Sequence, residues 1–148
     1  MKKDILKQSL YHRGPDEQSI YEYENISLFH SRLSIQDLIS GQQPYNFEDY
    51  TIIFNGEIYN HLELRKELKE FSFSTNSDTE TLLKLYIKYK DRMFEKIDGM
   101  FAFCIFDKNE NKLILSKDRV GKKPLYLYSN NSSLIFSSEL NSIKHQIK

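Results

Sequence analysis

The stretch Thr51-Ile-Ile-Phe-Asn-Gly-Glu-Ile-Tyr59 is the point from which the rest of the chain can be read. Thr51 to Phe54 is a short run of β-branched and aromatic residues that suits a strand. Glu57-Ile58-Tyr59 is extended in character as well, and Asn55-Gly56 stands between the two runs. Asn-Gly in that position is the strongest short hairpin signal, because both residues tolerate the positive φ of a type I′ turn. A hairpin is therefore expected here. The same pair also has a chemical reading, since an Asn side-chain amide and a Gly backbone N–H can jointly donate to a developing oxyanion. The residues alone leave both readings open.

Downstream, Met100–Phe106 is almost wholly apolar and is expected to be a strand buried on both faces. Asp107–Asn111 should turn the chain and Leu113–Ser116 return it, and Leu125–Tyr128 with Leu134–Phe136 should form a further hairpin about Asn130-Asn131. Two helices are expected between the early and late strands. Asn60 is a good N-cap for a run to Lys69, and Ser77-Asp-Thr-Glu80 has the form of a capping box ahead of the apolar stripe Leu82, Leu83, Tyr86 and Ile87. A helical turn is expected at Arg92–Ile97. Upstream, Lys3–Tyr11 has helical spacing and is stopped by Gly14-Pro15, Ile26–Ile35 reads as a strand, and Gly41–Pro44 reads as a loop. Strands, helices, then strands make this an α+β chain with largely antiparallel pairing.

Composition narrows the function classes. The 148 residues, with ten Tyr and ten Phe and 39% hydrophobic residues, are enough for one domain with its own core. Lys plus Arg and Asp plus Glu number 21 each, so no net field invites a nucleic acid or an anionic membrane surface. No window approaches the apolar length of a membrane span. One cysteine, Cys104, allows neither an internal disulfide nor a Cys-based zinc site, and His12, His30, His61 and His145 lack metal-ligand spacing. The start, Met1-Lys-Lys-Asp-Ile-Leu-Lys-Gln-Ser, lacks the apolar core of a signal peptide, so a reduced, cytoplasmic location is expected.

Two other residues divide between structural and chemical readings. Asp78 is favoured by the helix macrodipole in a first turn, yet beside a cleft it could pair with a substrate ammonium. Arg32 could be an ordinary strand arginine, or its guanidinium fork could grip a carboxylate.

Taken in order, Tyr11-His-Arg-Gly-Pro-Asp16, His30-Ser-Arg-Leu-Ser-Ile35, Phe54-Asn-Gly-Glu-Ile-Tyr-Asn60, Ser77-Asp-Thr-Glu80, Asp98-Gly-Met-Phe-Ala-Phe103, Asp118-Arg-Val-Gly-Lys-Lys-Pro-Leu-Tyr126 and Ser138-Glu139 closely resemble the glutaminase domain of glutamine-dependent asparagine synthetases. These are class II glutamine amidotransferases, within the N-terminal-nucleophile hydrolases. The resemblance covers about Ile5 to Leu140. It implies a four-layer αββα fold, two antiparallel sheets between helices, and hydrolysis of the glutamine side-chain amide to glutamate and ammonia without a cofactor. It implies that Asn55, through its side chain, and Gly56, through its N–H, stabilise the oxyanion. By the same resemblance Arg32 binds the α-carboxylate, Leu33, Ser34 and Ile35 line that pocket with backbone groups, and Glu57 and Asp78 hold the α-ammonium side. An amino acid presents one charge of each sign, so a cation and an anion facing it make sense on their own terms.

The family nucleophile is an N-terminal cysteine whose own α-amine is the base, whereas here Met1 is followed by Lys2. The chain is accordingly expected to be N-terminally truncated, lacking the first strand and its nucleophile, to be a partial domain over residues 1–148, and to be inactive alone. Cys104, inside Phe101-Ala-Phe-Cys-Ile-Phe106, is expected to be a buried small hydrophobe rather than a substitute. No Ser-Gly-Gly-x-Asp-Ser or Walker-type loop occurs, so ATP chemistry would belong to a synthetase subunit or domain supplied in trans. The alternative from another class is a catalytically dead module that binds glutamine or docks on another subunit through an open sheet edge.

Overall fold

The computed structural model describes residues 2–35 and 37–147. The chain runs through α1 (Lys3–Leu10), β1 (Glu17–Tyr23), β2 (Ile26–Arg32), β3 (Tyr45–Phe47), β4 (Tyr50–Ile58), α2 (His61–Glu67), α3 (Asp78–Tyr89), β5 (Gly99–Asp107), β6 (Lys112–Lys117), β7 (Tyr126–Ser129), β8 (Leu134–Ser137) and α4 (Leu140–Gln146). Strands β3-β4-β5-β6 form an antiparallel central sheet, while β1-β2 and β7-β8 are separate antiparallel hairpins. Helices α2 and α3 pack together, with α3 on β3 and β4; α1 and α4 pack together, with α4 on β7 and β8. The hairpins lie between the central sheet and the α1/α4 pair. Four layers result, in the order helix, strand, strand, helix.

Alternation along the central strands explains the layering. On one face Ile52, Phe54, Ile58, Phe101, Phe103 and Ile105 form the main core with Leu64, Leu68, Leu82, Leu83, Leu85, Tyr86 and Met93. On the other, Cys104 and Phe106 are buried against Leu28 of β2, with Ile53 and Phe136 packed around them. Strand β5 therefore has no solvent face, as its apolar run led one to expect, and Phe103 and Ile105 are almost wholly buried.

The expected Asn55-Gly56 hairpin does not form. Strand β4 runs straight through the pair, with Asn55 opposite Ala102 and Gly56 opposite Phe101 in an unbroken register with β5. Gly56 is needed for a different reason: its φ is 155°, and a Cβ there would lie 2.1 Å from the Met100 carbonyl oxygen. A glycine inside a strand marks close backbone approach, and here that approach overrides the turn preference of the dipeptide.

Smaller differences have local causes. The second strand stops at Arg32 instead of Ile35, and a partner strand, β1, pairs with it from Glu17↔Arg32 to Tyr23↔Ile26. Asn60 precedes α2 without capping it through its side chain. Its amide instead donates to the Lys96 carbonyl at 2.8 Å and its Oδ1 accepts from the Asp98 N–H at 3.0 Å, pinning the entry to β5. The capping box is also only half made. Ser77 Oγ accepts from the Thr79 N–H at 3.1 Å, but the Glu80 carboxylate turns to the N–H groups of Ser74 (3.0 Å) and Thr75 (2.7 Å). Glu80 also pairs with buried Lys84. The Lys84 ammonium in turn lies 4.5 Å from the Phe47 ring centroid and 4.7 Å from that of Phe73.

Candidate active site

A cavity of about 850 Å³ lies between the central sheet, the two hairpins and the α1/α4 pair. It receives Asn55, Gly56 and Glu57 from β4, Arg32 from the end of β2, Leu33 and Ile35 from the loop after it, and Asp78 from the start of α3. Of the residues singled out in the sequence, only Ser34 is not on its wall. The Ser34 N–H is given to Asp16 Oδ2 at 2.7 Å, which draws that residue toward the loop before β1.

Strand parity puts Asn55 and Glu57 on the cavity side. Their neighbours Phe54 and Ile58 are buried in the helix-side core, so the residues between them face the other way. Gln43 steadies this part of β4, its buried Oε1 accepting from the Phe54 N–H at 2.6 Å. On the facing hairpin His30 packs its ring against the same residue, with Nε2 3.2 Å from the Phe54 carbonyl oxygen. Burial pushes the His30 pKa down to about 4, against the pull of the Phe54 carbonyl and aided by the Arg32 charge, so the ring is neutral near pH 7. There a fixed cation, Arg32, stands near a neutral histidine on the cavity lining.

Arg32 is nearly buried. Its Nη1 lies 3.5 Å from Glu17 Oε2 across the β1-β2 ladder, and its Nη2 donates to the Asp37 carbonyl oxygen at 2.6 Å. These contacts fix the plane of the guanidinium, the property that makes Arg a better carboxylate clamp than Lys. The usual exposed strand arginine is thus not what the structure has: Arg32 is buried and borders the cavity.

Asp78 is likewise both a helix-start residue and a wall of the cavity. Its Oδ2 accepts from the Ile58 N–H at 2.9 Å, tying α3 to β4. Burial raises its carboxyl above the usual range, opposed by the Ile58 N–H and the charge of His61, and the neighbouring Glu57 adds to the rise. An ammonium ion placed beside Glu57 and Asp78 would relieve that penalty.

Cys104 also borders the cavity, but it is 1% exposed and packed against Leu28 and Phe106. Burial raises its thiol far above the ordinary range, so it is protonated at neutral pH and does not attack a carbonyl. The expectation of a small buried hydrophobe holds.

Two further residues, given no role in the sequence reading, shape the site. Asp118 accepts from the N–H groups of Lys122 (2.8 Å), Lys123 (3.0 Å) and Phe101 (3.2 Å), which hold its pKa at about 2 and fold the loop that brings Lys123 to the cavity. Arg65 spans from α2 to the segment before Asp78, donating to the carbonyls of Thr75 (2.8 Å) and Ser77 (2.7 Å) and to Thr81 Oγ1 (2.7 Å). These partners are distant in sequence, and only the repeated positioning of polar residues around Ser77 hints at them. Among the described residues no cluster of His, Cys, Asp and Glu could hold a metal ion, and no helix is long and apolar enough to cross a membrane.

Comparison with known proteins gives this geometry a family. The family model described as "Glutamine amidotransferase domain" matches residues 3–148. The chain belongs to the glutamine amidotransferase domain family. Over 142 residues it is 46% identical to asparagine synthetase [glutamine-hydrolyzing] 1 of Bacillus subtilis, covering 93% of this chain and 22% of that protein. It is 42% identical to the putative asparagine synthetase [glutamine-hydrolyzing] 2 of Methanocaldococcus jannaschii, covering 97% of this chain and 32% of that one. The amidotransferase chain thus spans about a fifth to a third of the length of these relatives. Among solved structures, glutamine phosphoribosylpyrophosphate amidotransferase from B. subtilis superposes with a TM-score of 0.59 at 23% identity, over 69% of this chain and 25% of that one. That likeness supports the N-terminal-nucleophile hydrolase arrangement of layers and nothing finer.

Proposed function

We propose that this amidotransferase domain binds L-glutamine in the cavity and presents its side-chain amide to Asn55 and Gly56 for hydrolysis to glutamate and ammonia. The observation that carries this reading is that a fixed cation, Arg32, two carboxylates, Glu57 and Asp78, and the Asn55-Gly56 pair all line one cavity. Arg32 takes the α-carboxylate, with Leu33 and Ile35 supplying backbone around it, and Glu57 and Asp78 take the α-ammonium. The side-chain amide then reaches β4, where the Asn55 amide and the Gly56 N–H meet the oxygen on which charge develops. In the reaction an N-terminal thiol gives its proton to its own α-amine and adds to the amide carbon, the C=O electron pair moves to the oxygen, and collapse breaks the C–N bond as the α-ammonium returns the proton to the nitrogen, which leaves as ammonia. Water then cleaves the thioester to give glutamate.

The thiolate is the part we assign to a group outside these 148 residues. Cys104 is the one cysteine of the sequence and is buried and protonated. We infer that the chain alone is inactive and that a synthetase domain or subunit supplied in trans consumes the ammonia. Its single cysteine also suits a reducing, cytoplasmic setting. Cys104 favours one second reading: a module that binds glutamine without cleaving it, or docks on another subunit.

The experiment is glutamine hydrolysis by the 148-residue chain beside a version extended at its N-terminus to begin with a free cysteine on a strand-forming segment. The proposal expects ammonia only from the extended protein, abolished by alkylation of the new thiol. Turnover by the 148-residue chain itself would overturn the inactivity, and folded extended protein that binds glutamine without cleaving it would favour the binding module.

A further inference from the structure

We propose that Asp37 is a positioning residue that ties the cationic end of the glutamine pocket to its anionic end. This role rests on the reading of the cavity as a glutamine site and goes beyond it, because Asp37 does not line the cavity.

Two loops adjoin the charged ends of the pocket with no strand or helix of their own. Arg32 closes β2 and is followed by an irregular segment, while Asp78 opens α3 after the irregular stretch Phe71–Ser77. Asp37 makes contact with both. Its carbonyl oxygen accepts from Arg32 Nη2 at 2.6 Å, which fixes one edge of the guanidinium. Its carboxylate Oδ2 accepts from the backbone N–H of Asn76 at 2.7 Å, two residues before Asp78. The same carboxylate holds its own turn closed, accepting from the Ser40 N–H at 3.0 Å and the Ser40 hydroxyl at 2.7 Å. The residue sits at φ 47°, a left-handed conformation that Asp tolerates better than most side chains, and that lets its carbonyl and carboxylate serve different partners.

Asn76 is the middle of a segment held from two sides. Arg65 takes the carbonyls of Thr75 and Ser77 from the helix side, and Asp37 takes the intervening N–H. Hydrogen bonds to a carboxylate are the stronger kind, and a site for a doubly charged ligand gains affinity when both of its counter-charges are pre-set. One residue that touches both loops sets the distance between them.

The test compares wild-type chain with Asp37→Ala, Asp37→Asn and Ser40→Ala by calorimetric titration of L-glutamine and by amide hydrogen exchange at Asn76. The expected result is an approximately tenfold weaker glutamine affinity in D37A, the size of one charged hydrogen bond, with Asn76 exchange faster by about the same factor. D37N, which preserves shape and one acceptor oxygen, should fall between D37A and wild type. S40A, which removes only the local turn contact, should stay within about twofold of wild type. Two half-ligands sharpen the test: 4-carbamoylbutanoate, which lacks the ammonium, and 4-aminobutanamide, which lacks the carboxylate, should both bind D37A less well than wild type. A loss confined to one half-ligand, an S40A effect equal to that of D37A, or unchanged binding in folded D37A and D37N overturns the role of Asp37. Wild-type chain that takes up no glutamine instead overturns the reading of the cavity, and the positioning role with it.

Discussion

The two faces of β4 and β5 are built from the same strands and serve opposite ends. On the helix side Ile52, Phe54, Ile58, Phe101, Phe103 and Ile105 lie in the dry main core. On the other side Asn55 and Glu57 face a cavity of about 850 Å³ into which Arg32 and Asp78 also reach. A strand's period of two lets one residue anchor the sheet while the next is held to within the precision of its neighbour's packing. The helix side should therefore govern stability and the cavity side ligand affinity, with little overlap.

The separation can be broken most forcefully beside the main core. Lys84→Met leaves the buried Glu80 carboxylate without its cation, and a loss of about 3–5 kcal/mol in denaturant unfolding is expected. The same pair sets an acid limb. Although burial alone would raise the Glu80 pKa, Lys84 and the N–H groups of Ser74 and Thr75 hold it at about 2, against an ordinary 4.5. A carboxyl depressed on folding stabilises the protein fully above its unfolded value, and that share is lost as pH falls from about 4.5 toward about 2. Unfolding followed by circular dichroism across that range should have this slope in wild type and a weaker one in Glu80→Gln.

Gly56→Ala tests the one position where both faces meet. A Cβ 2.1 Å from the Met100 carbonyl oxygen must push β4 and β5 apart, so about 1–3 kcal/mol of stability and most of the glutamine affinity should go together. Asp78→Asn sharpens the contrast instead. Burial has raised the Asp78 pKa above its ordinary 3.8, so the ionised form is a net cost to folding above that pH. The amide keeps an acceptor for the Ile58 N–H, and thermal melts near pH 7 should match or slightly exceed wild type within about 1 kcal/mol. Glutamine binding should nevertheless fall at least about tenfold. The smallest effect is expected for Cys104→Ala, which removes one buried sulfur at about 1 kcal/mol and leaves glutamine affinity within about twofold.

The legibility of the sequence followed the same divide. The apolar run Met100–Phe106 announced a doubly buried strand because burial on both faces needs no partner to be recognised. The Asn55-Gly56 pair misled because its turn preference is local, whereas the demand on Gly56 comes from Met100, far along the chain. Strand β1, Glu-Gln-Ser-Ile-Tyr-Glu-Tyr, is half-exposed and polar and has no hydrophobic period to read. Arg32, Asn55, Gly56, Glu57 and Asp78 were legible as a set only through the order of motifs, each having an adequate structural explanation alone. Asp37, Gln43 and Arg65 were not legible, since their roles rest on hydrogen bonds to backbone groups that the fold alone brings near.

The decisive measurement is titration of L-glutamine into the folded 148-residue chain, repeated with Arg32→Met. A single saturable site is expected in wild type and its loss in R32M, with D-glutamine bound more weakly than L-glutamine. Cooperatively folded wild-type chain that gives no binding, or R32M that binds as well as wild type, would contradict a glutamine site at Arg32.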